Sequence, residues 1–286
     1  DENGKCQAQE GCFLAGAKVC CYDDTCVNIE NVQIGSLILT HKGMYKEIEQ
    51  KYKRFYEGQV FNLKISGLPD ITGVTPNHPF LIYKNGELAW KKAEKLEVGD
   101  FAVLPKRQGL DQCSLFTDNE LYVMGLWLAE GSTKNGNILQ FNFGGNEIAL
   151  AKRVKETIDN MRLDDSVIVK EYLFKDGRKV PSFTYSNRKN KLVQIAERKD
   201  KNIIQVSKTN KKLHDLFVFH LGKYCDGKRL SQELFNSKGL LPLVAGVIDG
   251  DGSFRKKYPY DVNVGMTSRV LIEQIRQILL DEGIYC

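Results

Sequence analysis

One short pattern occurs twice in this chain, 121 residues apart, and the repeat constrains the fold more than any other feature of the sequence. The copies are "VMGLWLAEGS" (123–132) and "VAGVIDGDGS" (244–253). With Gly246 set on Gly125, Gly250 falls on Ala129, Asp251 on Glu130, Gly252 on Gly131 and Ser253 on Ser132. Both stretches read as apolar helices, where an interior glycine costs roughly 1 kcal/mol against alanine and so needs a reason. Gly246 and Gly250, like Gly125 and Ala129, are four apart and share a helix face. Small residues at that spacing predict two helices packed backbone to backbone, with Glu130 and Asp251 side by side at one end. Gly131 and Gly252 release the chain into a following strand. Two carboxylates that close repel each other unless a cation lies between them. Oxygen ligands suit Mg²⁺, and paired carboxylates with a divalent metal suit phosphodiester hydrolysis. One such helix is an ordinary apolar helix ending in a solvated acid. Two at matching positions, each followed by a strand and an amphipathic helix, are a duplicated α/β unit.

"VAGVIDGDG" resembles the LAGLIDADG motif of homing endonucleases, and "VMGLWLAEG" resembles it more weakly. The resemblance covers about 118–286, with repeat one at about 118–235 and an incomplete repeat two from about 239. It implies a domain of pseudo-twofold α/β repeats whose strands form a saddle that grips double-stranded DNA, with Glu130 and Asp251 as catalytic metal ligands for Mg²⁺. Asp249 aligns with the motif's earlier, structural acid, whereas the first copy has Leu128 there. A basic residue that assists the attacking water is usual in that family, and the sequence does not place it.

Charge bears on the same expectation. The net charge is +5, yet residues 186–213 hold nine basic residues against Glu197 and Asp200. Taken alone, such a run is a solvated face; beside a DNA-cleaving resemblance it reads as a phosphate-binding surface. Arg188, Lys189, Lys191, Lys208 and Lys211, with Arg255 and Lys256 after the second motif, are the expected DNA contacts.

Residues 12 to about 105 have a different texture. Short apolar runs such as "GQVFNLKISG" and "FLIY" alternate with Gly, Pro and Asn, and "KNG" at 84–86 is a hairpin turn, so this part reads as all-β. The period changes after "KRQGLDQCS", where "NELYVMGLWLAEG" begins a helical pattern. "NEIALAKRVKETIDNM" reads as an amphipathic helix capped by Asn146.

There are eight cysteines, five of them within the first 26 residues, and no paired C-x-x-C units, which argues against structural zinc. A disulfide framework does not suit a chain of this length without a secretory leader, so an intracellular, reducing compartment is expected. No apolar run reaches the 18 or so residues of a membrane helix.

One cysteine stands out. "GCFLAGAKVCCYDDTCVNIENVQIGS" and, 63 residues past Cys12, "TPNHPFLIY" resemble the amino-terminal and T-x-x-H splicing blocks of inteins. "VQIGSLILT" and "LEVGDFAVLPK" resemble framework segments of the same Hint-type horseshoe fold. The resemblance implies that Cys12 attacks the carbonyl of Gly11, turning the Gly11–Cys12 bond into a thioester with no cofactor. His78 is the expected acid for the leaving nitrogen, and Thr75 with the backbone near Asn77 would polarise the bond. A thiol is weakly ionised at neutral pH yet intrinsically very nucleophilic.

The expected organisation is an N-extein tail (1–11), the N-terminal part of a Hint splicing domain (12–110) and the endonuclease (111–286). No His-Asn pair occurs, although inteins end in one, so the expected partners include a missing C-terminal intein fragment besides DNA and the host extein, whose location the chain would follow. Two other readings share part of the pattern: an intein whose nuclease has decayed to a DNA-binding module, and a Hedgehog-like autoprocessing domain, which has Cys and T-x-x-H but no paired motif helices.

Overall fold

The computed structural model describes residues 11–22, 26–68, 70–110, 116–161, 167–172, 179–186, 191–199, 203–255 and 258–286; for Cys26, 167–172, 179–186, 191–199, 255 and 258–260 it describes the backbone only. The chain divides into two units, Asp1–Leu110 with Glu273–Cys286, and Asp111–Ile272. The change of period at residue 110 therefore marks a real boundary. The expected assignment of 273–286 to the second unit is corrected, for a reason that lies in side chains. Asp281 accepts from the Arg107 backbone N–H at 2.8 Å and from its Nε at 2.7 Å. Gln277 donates to the Pro105 carbonyl, and the Tyr285 hydroxyl donates to that of Ser66.

The first unit is built of short antiparallel strands: β1 (Lys18–Cys20), β2 (Cys26–Asn28), β3 (Leu37–Leu39), β4 (Tyr45–Glu47), β5 (Phe61–Lys64), β6 (Ile71–Val74), β7 (Pro79–Lys84), β8 (Glu87–Lys92) and β9 (Phe101–Ala102). They form the pairs β1–β2, β3–β4 and β5–β6 and the three-stranded sheet β8–β7–β9. The hairpin between β7 and β8 turns on Asn85 and Gly86, both at positive φ (54° and 90°), as "KNG" predicts. Phe13 bridges Val74, which brings the start of the described chain onto the end of β6.

The second unit runs α1 (Asp118–Glu130), β10 (Gly131–Lys134), β11 (Ile138–Gly144), α2 (Ile148–Asn160), β12 (Val167–Tyr172), β13 (Lys179–Ser186), β14 (Lys191–Lys199), β15 (Ile203–Thr209), α3 (Lys211–Leu221), α4 (Gln232–Phe235), α5 (Leu241–Asp251), β16 (Gly252–Arg255) and β17 (Tyr258–Val264). Helix α6 (Arg269–Asp281) begins in this unit and ends in the first. The repeat is visible in the backbone: α1–β10–β11–α2 and α5–β16–β17–α6 have the same order. Each motif helix leads into a hairpin rather than the single strand expected, and Asn135–Gly136, both at positive φ, make the first hairpin's turn.

The main sheet has the antiparallel order β10–β11–β15–β12. Strict alternation along β11 buries Leu139, Phe141 and Phe143, and along β15 it buries Ile204, Val206 and Lys208. Phe217 of α3 packs edge-on against Trp127 and Phe141 from the buried side. Helix α1 opens with a capping box in which Thr117 and Glu120 satisfy each other's backbone N–H groups. The Asn cap expected for α2 is absent: Glu147 is the capping position, and its carboxylate turns back to accept from the Gly144 N–H at 2.6 Å. No helix among the described residues is long and apolar enough to cross a membrane.

Candidate functional sites

Helices α1 and α5 meet backbone to backbone. A Cβ on Gly125 would lie 2.0 Å from the Leu243 carbonyl oxygen, and one on Gly246 would lie 2.1 Å from that of Tyr122. Glycine is the residue that leaves room for this approach, as the spacing predicts. Gly131 and Gly252 follow both helices with extended φ of −86° and −74°, so they too serve space rather than a left-handed turn. A Cβ on Gly252 would lie 2.2 Å from the Ile248 carbonyl oxygen.

The close crossing brings Glu130 and Asp251 into one electrostatic environment. Burial raises the Glu130 carboxyl to about 7, aided by the charges of Asp251 and then Glu147, with Lys228 opposing. Burial also raises Asp251, again against Lys228. Two acids held above their ordinary range are a charge imbalance that a cation relieves. Among the described residues no group of three or more His, Cys, Asp or Glu is arranged to hold a metal ion. A carboxylate pair fits Mg²⁺, which binds through one or two carboxylates and keeps water or phosphate oxygens as its other ligands.

Two residues of this site were not found from the sequence. Lys228 is 9% exposed and donates through Nζ to the carbonyls of Trp127 (3.1 Å), Leu128 (2.8 Å) and Gly131 (3.0 Å). It caps the end of α1 that carries Glu130, and its charge reaches both acids. Burial lowers its pKa while Asp251 and Glu130 hold it up. Glu147, at the start of α2, is the other. Asp249 accepts from the Tyr122 hydroxyl at 2.6 Å across the helix pair, and the Arg153 guanidinium lies 3.5 Å over the Tyr122 ring.

The expected DNA contacts fare unevenly. Lys208 is 1% exposed, with its Nζ unpartnered, and is withdrawn as a surface contact. It shares the strand face of Ile204 and Val206, which turns it inward. Lys211 is exposed and pairs with Asp215 at 2.5 Å. Arg188, Lys189 and Lys256 lie outside the described residues, and of Lys191 and Arg255 only the backbone, in β14 and β16, is described.

In the first unit, residues far apart in sequence converge on one peptide bond. The Cys12 N–H donates to Thr75 Oγ1 at 2.8 Å, and the Thr75 N–H donates to the Cys12 carbonyl at 3.0 Å. The Thr75 hydroxyl, fully buried, donates to Asn77 Oδ1 at 2.9 Å, and the His78 N–H donates to the Thr75 carbonyl at 3.1 Å. Gly11 is pressed on His78: a Cβ there would lie 2.1 Å from the His78 Cα. Burial lowers the His78 pKa, and a hydrogen bond with the Gly11 backbone raises it in part. Thr75 holds the nitrogen that His78 was expected to serve, and Gly11 lies against His78.

No family model matches the chain. It is similar to a replication factor C small subunit of Methanocaldococcus jannaschii, at 29% identity over 216 residues, 74% of this chain and 10% of that protein. The ATP-dependent DNA helicase Hel308 of the same organism is 27% identical over 228 residues, 77% of this chain and 16% of the helicase. Hel308 of Thermococcus kodakarensis is 21% identical over 314 residues, 86% of this chain and 25% of that protein. The chain spans between a tenth and a quarter of the length of these relatives.

Proposed function

We propose that this chain is a protein-splicing element that activates the Gly11–Cys12 bond and carries a Mg²⁺-dependent endonuclease acting on double-stranded DNA. The first activity rests on the convergence of Thr75 and His78 on that one peptide bond, 63 residues away in sequence. The second rests on the glycine-mediated crossing of α1 and α5, which sets Glu130 beside Asp251. The relatives support an inserted module. A stretch that is most of this chain and a small part of two differently named proteins fits a module that such proteins carry. The chain has no G-x-x-x-x-G-K-S/T sequence, so the likeness does not run through a phosphate-binding ATP loop.

The proposed first step uses these contacts. The His78 N–H polarises the Gly11 carbonyl, and Thr75 fixes the Cys12 backbone. Cys12 Sγ attacks the Gly11 carbonyl carbon; the C–S bond forms, the C–N bond breaks, and the thiol proton passes to the departing Cys12 nitrogen. In the second unit the metal, when bound, supplies an activated water and stabilises the leaving oxygen. Glu130 and Asp251 would hold it, and Lys228 fixes the end of α1 and offsets their charge. The sheet face opposite the helices offers Ser132, Gln140, Asn142, Gln205 and Ser207 in adjacent register, with Gln205 Nε2 3.0 Å from Asn142 Oδ1. Amide and hydroxyl groups of this kind hydrogen-bond base edges. We also propose that a strand-forming C-terminal segment completes the first unit, supported by a cavity of about 990 Å³ lined by Phe80, Ile82, Leu96, Leu104, Leu280 and Tyr285.

Thiol treatment followed by mass spectrometry tests the first activity: release of residues 1–11 is expected and is lost in Cys12→Ala. Release that persists in Cys12→Ala would overturn the assignment. Cleavage of DNA spanning the uninterrupted host site tests the second, with Glu130→Gln and Asp251→Asn reducing cutting to background and leaving thiol-dependent release intact. Cutting retained in both variants would remove the acids from the mechanism.

A further inference from the structure

The His78 ring packs against two phenyl rings that lie on adjacent sides of it and touch each other. The Phe13 centroid is 4.1 Å from the imidazole at 57°, and that of Phe80 is 5.2 Å away at 67°. The two phenyls are themselves 6.5 Å apart and nearly perpendicular. Neither position is accidental. The antiparallel bridge to Val74, itself fully buried, holds the Phe13 backbone next to the strand end that presents Thr75. Phe80 is the second residue of β7 and is held in register opposite Lys91. A tilted and an edge-to-face aromatic contact of this length favour one ring orientation beyond the area they bury. The imidazole needs such an external constraint, because its Nδ1 is buried without a hydrogen-bond partner. A catalytic histidine is ordinarily oriented by a hydrogen bond to its second nitrogen.

We propose that Phe13 and Phe80 are positioning residues that clamp His78 on the Gly11 carbonyl and keep water from its ring. The inference rests on the splicing role of the Gly11–Cys12 bond. The chemistry of the clamp is apolar: its walls supply neither proton nor charge. They fix the ring plane and lower the local polarity, so that one N–H is aimed at the carbonyl and the other nitrogen stays neutral. The downward displacement of the His78 pKa has burial as its first cause, and the Gly11 carbonyl opposes it. The Cys12 thiol is the titratable neighbour across the bond.

The test uses the full chain with Cys12→Ala, which stops the reaction, and reads the His78 ring by NMR titration. In Phe80→Leu and in Phe13→Leu the imidazole pKa is expected to rise toward the ordinary 6.5 or so, because water regains access to the ring. With Cys12 restored, thiol-dependent release is expected to slow about tenfold in either variant, a fraction of what general acid–base groups contribute. Phe80→Tyr keeps the ring and is expected to keep both the rate and the titration. An imidazole pKa unchanged in both leucine variants, or a Phe80→Tyr protein as slow as Phe80→Leu, would overturn the clamp. Absence of release from the parent protein would instead count against the splicing role, and the NMR titration would still decide whether the clamp exists.

Discussion

The two units solve the problem of burial in opposite ways. In the second, α1 is apolar nearly all round: Val123, Met124 and Leu126 are fully buried, and Trp127 and Leu128 nearly so. In the first, large apolar side chains lie open, among them Phe55 at 89% exposure, Phe101 at 71%, Leu88 at 63% and Trp90 at 59%. Its strands are two to six residues long and mostly paired two at a time. The second unit is held by a hydrophobic core. The first has polar ties, two of which reach across the sequence, Arg107 to Asp281 and Thr75 to Cys12, beside the local pair Lys91 to Asp100. The difference places the two sites on different footings. The acid pair stands at the end of a rigid helix crossing. The Cys12, Thr75 and His78 cluster stands on hydrogen bonds between short strands, which would suit the proposed rearrangement of its own backbone.

The largest effect is expected where the first unit has least redundancy. Asp281→Ala leaves a buried arginine without its carboxylate, and losing one partner of a buried pair costs about 3–5 kcal/mol. Hydrogen-exchange protection should collapse across 101–110 and 273–286 and stay unchanged in α1 and α5. Equal loss in both units would mean that they fold as one. Next come two truncations that differ only in place. Leu126→Ala, in the core of the second unit, is expected to cost about 3 kcal/mol, and Leu88→Ala, on the open face of the first, less than about 0.5 kcal/mol. Comparable costs in urea unfolding would abolish the contrast drawn above.

An effect smaller than either the ion-pair loss or the core truncation belongs to the acid pair. The Glu130 carboxyl lies at about 7, above the ordinary 4.5, so the folded second unit keeps this proton to higher pH than the unfolded chain does. Without divalent metal, stability contributed by the protonated form is present below about pH 4.5 and is lost as the pH rises through about 7. Glu130→Gln should therefore raise the melting temperature of the metal-free protein by about 3 °C at pH 8 and change little at pH 4.5. Mg²⁺ should stabilise the parent protein at pH 8 and not Glu130→Gln to the same degree. A melting temperature lowered at pH 8 by Glu130→Gln would show that the carboxylate is not strained.

Much of this was legible because it was local. The spacing of Gly246 and Gly250 implies a helix face that needs room, and "KNG" at 84–86 implies a turn. The same Lys-Asn-Gly sequence recurs at 134–136 and forms the second such turn, at Asn135–Gly136. Lys208 was misread by counting charge without regard to alternation. Its parity with Ile204 and Val206 already turns it inward. Lys228 and Glu147 were not legible. One is a lone lysine in a charged loop, about 100 positions from the carbonyls it caps, and the other looks like any acid near a helix start. The return of 273–286 to the first unit was hidden for the same reason: α6 has the periodicity of a helix that packs, and periodicity does not say against what.

Arg107 and Asp281 are 174 positions apart and lie on either side of the second unit in sequence, yet both belong to the first. Their contact makes the first unit indifferent to the size of what it carries. Once two ends are joined, closing a loop costs only about 0.6 kcal/mol more for each doubling of its length. Whatever lies between these residues can then lengthen, shrink or be exchanged at little expense to the strands outside it. The carrier and its passenger are thereby free to gain and lose sequence on separate schedules.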